Sequence, residues 1–271
     1  MRGRNPRRQT RQPVERERNL RLLLAFDGAA YHGWQIQKKL PTIQGALQDA
    51  IRGITGEDVN LIGSGRTDAG AHARGMVASF KTRSRIGARS MVRALNSRLP
   101  GDIRILSARE APANFHARYS ARAKIYRYQI YRGEVLPPHL AGEYFHYPYP
   151  VDVPRMEEAA PLLEGTRDFA SFAAVPRHSA AGSADERRGE RSTVRTVHSC
   201  RLACRGKRMT LSVEGSGFLH HMVRNMAGTL LEVGRGRITL RELQDLFRLR
   251  DRSLAGFTAP AHALILMKVR Y

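Results

Sequence analysis

The chain has 271 residues with a formal net charge of +22, and 42% of its residues are hydrophobic. This length and apolar share are enough for a sizeable core, in one large domain or in two packed halves. No apolar run approaches the roughly 20 residues of a membrane span, and no apolar segment of a secretory signal follows the arginine-rich start. We therefore expect a cytoplasmic protein that does not span a membrane.

The surplus of basic residues indicates a polyanionic partner. Of the 46 basic residues only six are lysine and 40 are arginine. Each phosphate that such a side chain neutralises releases counterions, so this charge favours nucleic-acid binding. An arginine-rich composition is also typical of a GC-rich genome, and basic proteins bind membranes as well. Because no basic amphipathic helix of the membrane-surface type stands out, nucleic acid is the partner that we expect.

The first 18 residues lack the side chains needed for a core. They include seven arginines, two prolines and no aliphatic residue larger than Val14. We predict a disordered basic tail over residues 1–18. The sequence leaves open whether this tail adds nonspecific RNA affinity or is only a solvated extension.

Residues 19–114 are predicted to form an N-terminal α+β half. Its predicted elements are a strand over 20–26, a helix over 43–54 with Thr42 as N-cap, strands over 59–62 and 76–80, a helix with Val92, Leu95 and Leu99 on one face, and a strand over 103–106. The order is β-α-β-β-α-β, which is the split βαβ arrangement.

A loop of small residues joins the two middle strands of this half. Residues 63–73 read Gly-Ser-Gly-Arg-Thr-Asp-Ala-Gly-Ala-His-Ala, so the loop contains one cation, Arg66, and one carboxylate, Asp68. The small side chains allow tight turns and a close approach to a ligand. A carboxylate on a loop held between strands is well placed to be a reactive group. From residue types alone, however, the simpler interpretation is that Asp68 caps backbone N–H groups.

Residues 115–271 are predicted to form a C-terminal half that repeats this order with one added helix. A strand over 124–131 places Tyr126 and Tyr128 on one face. Aromatic residues beside arginines form a platform on which bases can stack, although strands favour aromatic residues in any case. The other predicted elements are a helix over 156–163, a surface loop over 176–192, strands over 194–203 and 209–214, a helix that opens at 217–219 with Leu219 inward, a helix that starts with a capping box at Thr239, and a strand over 264–270.

Neither the histidine pair nor the cysteine pair is predicted to bind a metal ion. His220 and His221 are neighbours in the helix predicted from residue 217, where adjacent side chains point about 100° apart. Cys200 and Cys204 lie four residues apart in a predicted strand. That spacing puts both on one face and favours reduced core thiols over a zinc site or a disulfide framework.

Separate stretches spread from Gly33 to Leu266 resemble one family, in the right order along the chain. The string Gly-Arg-Thr-Asp-Ala-Gly-x-His-Ala over 65–73 and the segment Gly-Trp-Gln-x-Gln over 33–37 resemble signatures of the tRNA pseudouridine synthase A family. The Tyr-x-Tyr pair that begins at Tyr126 and the segment 165–172 are similar to this family as well. Ala71 and Ala263 depart from the residues that are common there.

This resemblance implies a fold and an activity. The fold is the α+β pseudouridine synthase fold, with two similar halves, abutting and mostly antiparallel sheets, and a central basic cleft. The activity is isomerisation of uridine to pseudouridine in the anticodon stem-loop of tRNA, at tRNA positions 38, 39 and 40. The base is detached, turned and rejoined through carbon without redox change, so no cofactor is expected. The family also implies a homodimer whose subunits jointly hold one tRNA.

The same resemblance implies roles for four residues. Asp68 is the nucleophile and Arg224 its ion-pair partner, whereas Arg66 helps to displace the target base and Tyr126 stacks on the uracil. Whether Asp68 attacks the base or the ribose carbon stays open. The alternatives are a noncatalytic RNA-binding module and a paralogue with a different RNA target. A nucleic-acid methyltransferase would need a glycine loop that opens a helix, but the loop at Gly63 leads towards a strand.

Overall fold

The computed structural model describes residues 17–174 and 192–271. Residues 1–16 of the predicted tail and 176–191 of the predicted surface loop lie outside these ranges. The first strand begins at Arg18, whose guanidinium pairs with Glu110 of a neighbouring strand at 2.8 Å. The sheet therefore includes the last residue of the segment that we predict as a tail.

The N-terminal elements follow the predicted β-α-β-β-α-β order. They are β1 (Arg18–Phe26), α1 (Ile43–Thr55), β2 (Ile62–Gly63), β3 (His72–Thr82), α2 (Ala88–Arg98) and β4 (Ile103–Ala111). Helix α1 begins as predicted, because the Thr42 side chain accepts a hydrogen bond from the Gly45 N–H. It ends at Gly56, which has the left-handed conformation that favours glycine.

The C-terminal elements contain two strands that the sequence does not reveal. The elements are β5 (Ala123–Tyr131), β6 (Phe145–His146), α3 (Val153–Ala159), β7 (Gly165–Asp168), β8 (Val194–Arg205), β9 (Arg208–Gly215), α4 (Met222–Gly234), α5 (Leu240–Leu249) and β10 (Leu264–Arg270). Strands β6 and β7 are too short to show an alternating pattern. The capping box at Thr239 is confirmed, since its hydroxyl accepts from the Glu242 N–H and the Glu242 carboxylate accepts from the Thr239 N–H.

Two helices differ from their predicted form. The buried face of α2 contains Met91 rather than Val92, which is only half-buried. Helix α4 begins at Met222, so the predicted start at 217–219 is wrong and Leu219 precedes the helix. The cause is His221, whose φ of +61° lies in the left-handed region and breaks the helical run.

All ten strands of the described residues belong to one sheet. Their order is β4-β1-β3-β10-β5-β9-β8-β7, with β2 beside β3 and β6 beside β5. The pairs are antiparallel except β3 with β10 and β5 with β6. Strands β3 and β10 pair only through His72 with Ile265 and Ala73 with Leu266. The N-terminal and C-terminal strands thus abut edge to edge, and they meet directly after the loop that contains Asp68.

Helix α4 packs into the core along its whole length and gives the C-terminal half a rigid centre. Every residue of this helix except Arg224 is buried, as expected for a helix that other elements surround. Arg224 is therefore a polar side chain on an element that has little freedom to move. Within the described ranges, no helix has the length and apolar character needed to cross a membrane.

Candidate active site

The loop between β2 and β3 is held from two sides by backbone hydrogen bonds. On one side, the Ser64 N–H donates to the Val77 carbonyl of β3 at 2.8 Å. On the other, the Trp34 N–H donates to the Thr67 carbonyl at 3.3 Å. Backbone groups bonded in this way resist displacement. Because Ser64 and Thr67 are held on either side, the backbone position of Asp68 is fixed as well.

The segment before α1 supports this loop through close backbone contact. Gly33 has a φ of +84°, and a β-carbon at this position would lie 2.4 Å from the Thr67 carbonyl oxygen. Only glycine satisfies both conditions. Trp34 is 2% exposed, and a β-carbon at Gly63 would lie 2.5 Å from its indole. Trp34 therefore supports the loop from inside and is not a surface for RNA.

Asp68 and Arg224 form an ion pair, although 156 residues separate them in the sequence. The Arg224 Nη1 donates to Oδ2 of Asp68 at 2.7 Å, and its Nε donates to the Ala259 carbonyl at 2.7 Å. Only 17% of the Asp68 side chain and 13% of the Arg224 side chain are exposed. A charge-assisted bond between two such side chains fixes the carboxylate. Within the described residues no backbone N–H of the loop donates to this carboxylate, so the interpretation as a turn cap finds no support.

Tyr126 of β5 borders the same site. It is 8% exposed, and its ring meets that of Phe218 edge to face with 5.2 Å between the centroids. Burial, and after it the negative charge of Asp68, raises the pKa of Tyr126 above its ordinary value. The hydroxyl is therefore protonated at neutral pH. In that state Tyr126 offers a ring and a hydrogen-bond donor, but it is not a ready base.

Asp68 lies in an open cleft of about 1310 Å³. This volume exceeds the roughly 300–1,000 Å³ of most small-molecule pockets. Among the described residues that line the cleft, the cations are Arg66, Arg118, Lys124 and Arg224, and Asp68 is the only carboxylate. A basic cleft with one carboxylate suits a polyanion on which a single position reacts.

The sequence matches a known family along most of its length. A family model described as tRNA pseudouridine synthase matches residues 23–120 and 159–271. The tRNA pseudouridine synthase A of Solibacter usitatus is 45% identical over 254 residues, which is 94% of this chain and 100% of the relative. The protein of that name from Thermoanaerobacter sp. is 42% identical with the same coverage. The one from Pseudomonas aeruginosa is 40% identical over 92% of this chain and 84% of its own.

The chain belongs to the tRNA pseudouridine synthase family. It is therefore an enzyme of the isomerase class with the α+β fold of that family.

Two solved structures are also similar to the chain. The Cbf5-Nop10-Gar1 complex matches with a TM-score of 0.30 and 11% identity, over 78% of this chain and 54% of that chain. The archaeal box H/ACA sRNP Nop10-Cbf5 complex matches with a TM-score of 0.31 and 10% identity, over 89% of this chain and 68% of that chain. These scores are too low to add to the sequence evidence.

In this family member, His220 and His221 lie beside Asp68, although the predicted helix would point them about 100° apart. The Nε2 atom of His220 is 3.5 Å from Oδ1 of Asp68, and that of His221 is 3.7 Å from Oδ2. The argument from helical spacing is wrong because both residues precede α4, and their rings lie 3.8 Å apart. The three side chains are close enough to share a metal ion. However, Arg224 already bonds to the same carboxylate, and its charge opposes a second cation there.

The histidines frame the carboxylate without a strong bond to it. Burial lowers the pKa of His221 below its ordinary value, and although Asp68 acts in the opposite direction, His220 and Arg224 add to the lowering. His221 is therefore neutral at neutral pH. At 3.7 Å its Nε2 is also beyond hydrogen-bond distance from Asp68.

Arg66 occupies the mouth of the site. Its side chain is exposed and lines the cleft two residues before Asp68. It makes no hydrogen bond or ion pair with the part of the chain that the structure describes. The guanidinium is therefore available to a ligand.

The two cysteines lie in different environments on β8. Cys200 is fully buried as predicted, and burial raises the pKa of its thiol. Cys204 is only half-buried, and its sulfur accepts a hydrogen bond from Arg132 at 3.1 Å. The prediction that both are core thiols is therefore wrong for Cys204, because the end of β8 extends past the core.

Proposed function

We propose that the chain isomerises uridine to pseudouridine in the anticodon stem-loop of tRNA, at tRNA positions 38, 39 and 40, with Asp68 as nucleophile. The observation that carries this proposal is the Asp68–Arg224 pair. It is a fixed carboxylate, and the only one that the described residues contribute to the lining of a basic cleft. The names of the relatives support tRNA as the substrate.

The reaction exchanges one bond to the ribose for another. The bond between N1 of uracil and C1′ breaks, and a bond between C5 and C1′ forms. C5 loses a proton and N1 gains one, so the reaction balances without a redox partner. A uridine within a stem or loop must first be extruded into the cleft. Asp68 then bonds covalently either to the ribose carbon or to the base, and both routes release it at the end.

The four site residues divide the work of this reaction. Arg224 holds Oδ2 of Asp68 and leaves Oδ1 without a hydrogen bond from the described residues. Oδ1 is therefore the oxygen that attacks. The exposed Arg66 enters the stack in place of the extruded base, and Tyr126 lies against the uracil. Burial raises the pKa of Tyr126, so its hydroxyl is protonated when the RNA enters the cleft.

The family resemblance also supports a homodimer that holds one tRNA in the cytoplasm. Sedimentation equilibrium of the free protein tests this part of the proposal. A mass near twice 30.4 kDa supports the dimer, and a mass of 30.4 kDa contradicts it.

Pseudouridine mapping in a strain that lacks this gene tests the substrate. We expect loss of pseudouridine at tRNA positions 38, 39 and 40, restored by the parent gene and not by Asp68→Asn. Loss from a different RNA would show a paralogue with another target. No loss from any RNA would contradict the proposed substrate.

A further inference from the structure

A second group of cleft residues lies on the segment that leads into β5, outside the four residues with proposed roles. The rings of His116 and Tyr119 are stacked, with centroids 4.3 Å apart and planes inclined by 28°. Tyr119 is 73% exposed, and the guanidinium of Arg118 lies 5.6 Å from the centre of its ring. A large aromatic ring this exposed contributes little to a core, and this ring also lines the cleft that contains Asp68.

The stack is formed before any ligand arrives. Nδ1 of His116 accepts hydrogen bonds from the backbone N–H groups of Arg118 and Tyr119, both at 3.2 Å. Because burial and the charge of Arg118 lower the pKa of His116, this nitrogen is unprotonated at neutral pH and can accept both bonds. The turn also closes through the Ser120 hydroxyl, which accepts from the His116 N–H at 3.1 Å. Tyr119 is thus presented on a turn that is tied together.

Lys124 points into the same cleft without an anionic partner. It lies two residues before Tyr126 in β5, so the two side chains share a face of the strand. A β-carbon at Gly65 would lie 3.0 Å from its Nζ, so the ammonium group rests against the start of the Asp68 loop. Lys124 makes no hydrogen bond or ion pair with the described residues. Burial, and then the charge of Arg118, lowers its pKa to about 8.

A half-buried cation without a counter-ion destabilises the free protein. At neutral pH most of the Lys124 side chains are still charged, since their pKa is about 8. A side chain that served only packing would be better replaced by an apolar one of the same length. An ammonium group and an exposed aromatic stack that line the same cleft instead supply the contacts that a nucleotide needs, one for the phosphate and one for the base.

We propose that Tyr119 and Lys124 form a subsite for the nucleotide next to the extruded uridine, where Tyr119 stacks on its base and Lys124 binds the phosphate that joins the two. This inference rests on the proposed function, because it assumes that the cleft receives RNA. It adds a binding role for two side chains that the four-residue site leaves unused. Since both side chains line the cleft of Asp68, the subsite orients the strand so that the target uridine meets the carboxylate.

Lys124→Met tests the phosphate contact, with Lys268→Met as its matched control. Lys268 is exposed on the adjacent strand and pairs with Ile125, so it lies on the opposite face of the sheet. We expect Lys124→Met to melt at a higher temperature than the parent, because an unpaired cation is removed. We also expect a higher KM for tRNA and a salt dependence of binding that falls by about one unit of slope. Lys268→Met should leave KM and slope unchanged.

Tyr119→Ala tests the base contact, with Tyr119→Phe as its control. Base stacking is worth about 1–3 kcal/mol, which corresponds to a rise of roughly 5- to 150-fold in KM for the alanine variant. The phenylalanine variant keeps the ring and should keep the KM of the parent. Because Tyr119 is exposed, neither variant should change the melting temperature.

The outcomes separate this subsite from the proposed function. A parent protein that forms no pseudouridine in tRNA contradicts the proposed function itself. An active parent whose Lys124→Met and Tyr119→Ala variants keep its KM contradicts the subsite alone. A lower melting temperature for Lys124→Met with unchanged KM also contradicts it, because that result assigns the lysine to packing.

Discussion

The ring and the hydroxyl of Tyr126 make contributions that two substitutions can separate. We expect Tyr126→Phe to keep the binding of an anticodon stem-loop RNA, because this variant loses only the hydroxyl and retains the ring that lies against the uracil. Tyr126→Ala removes the face against which uracil lies and should weaken binding by about 1–3 kcal/mol. Equilibrium binding and pseudouridine formation, measured below the melting temperature of each variant, check this. If both variants behave like the parent, Tyr126 is a core residue and the site is misplaced.

The side chains of Asp68, His220 and His221 lead to a prediction about metal removal. We expect pseudouridine formation to survive an excess of EDTA, because the Arg224 guanidinium already bonds to the carboxylate at 2.7 Å. The assay uses tRNA folded in monovalent salt, so that loss of magnesium from the RNA does not confuse the result. Activity lost in EDTA and restored by zinc but not by magnesium would contradict the prediction.

The residues of the site differ in how far the sequence could reveal them. Asp68 stands out through its loop of small residues, but its contact with Arg224 spans 156 residues and no local pattern predicts it. Only the family resemblance suggests that pair. The sequence does not reveal that His220 and His221 lie beside Asp68, because the left-handed conformation of His221 has no signal in the sequence. Neither glycine nor asparagine stands there to indicate a break before α4.

At the level of elements, the loop of Asp68 depends on the segment before α1. We expect Gly33→Ala to lower activity and stability together, because its β-carbon would lie 2.4 Å from the Thr67 carbonyl oxygen and would displace the loop. The control is Gly56→Ala, which shares a positive φ but has nothing within 4 Å of the added carbon. That variant should lose roughly 1–2 kcal/mol of stability from its left-handed backbone and keep its turnover. Equal losses of activity in Gly33→Ala and Gly56→Ala would contradict this prediction, because they would indicate that backbone strain alone, and not displacement of the loop, lowers activity.

The main helices and strands could be predicted because burial imposes a period on them. Helix α1 buries Ile43, Leu47 and Ile51 at helical spacing, and its cap residue is a threonine. Strand β2 has only two residues and is recognised only through its pairing with β3. In α2, Met91 and Val92 are adjacent and both are apolar, so the pattern alone does not decide which of them faces the core.

At the level of the whole molecule, the net charge of +22 acts at a distance and belongs to no single residue. Residues 1–16 contain six arginines and one glutamate, a dense part of that charge. We expect their deletion to weaken tRNA binding most at low salt and to flatten its salt dependence. Turnover at saturating tRNA should be unchanged. A truncated protein with normal affinity and no turnover would contradict this expectation.

The family resemblance implies that the sheets of two halves abut, but it does not show where they join. The junction is the two-residue parallel pairing of β3 with β10, which is too short to leave a pattern. It brings the last strand of the chain beside the strand that follows Asp68. The site is therefore assembled from both ends of the molecule, and a fragment of either half would lack one member of the Asp68–Arg224 pair.

The most direct test of this account is pseudouridine formation by Asp68→Asn in purified tRNA. The amide keeps the shape of the carboxylate and can still accept a hydrogen bond from Arg224, so folding and tRNA binding should be retained. It has no anionic oxygen to attack carbon, so we predict no pseudouridine. Asp58→Asn, which alters an exposed carboxylate paired with Arg52, serves as control and should be fully active. Isomerisation by Asp68→Asn at the rate of that control would contradict the central claim that Asp68 is the nucleophile.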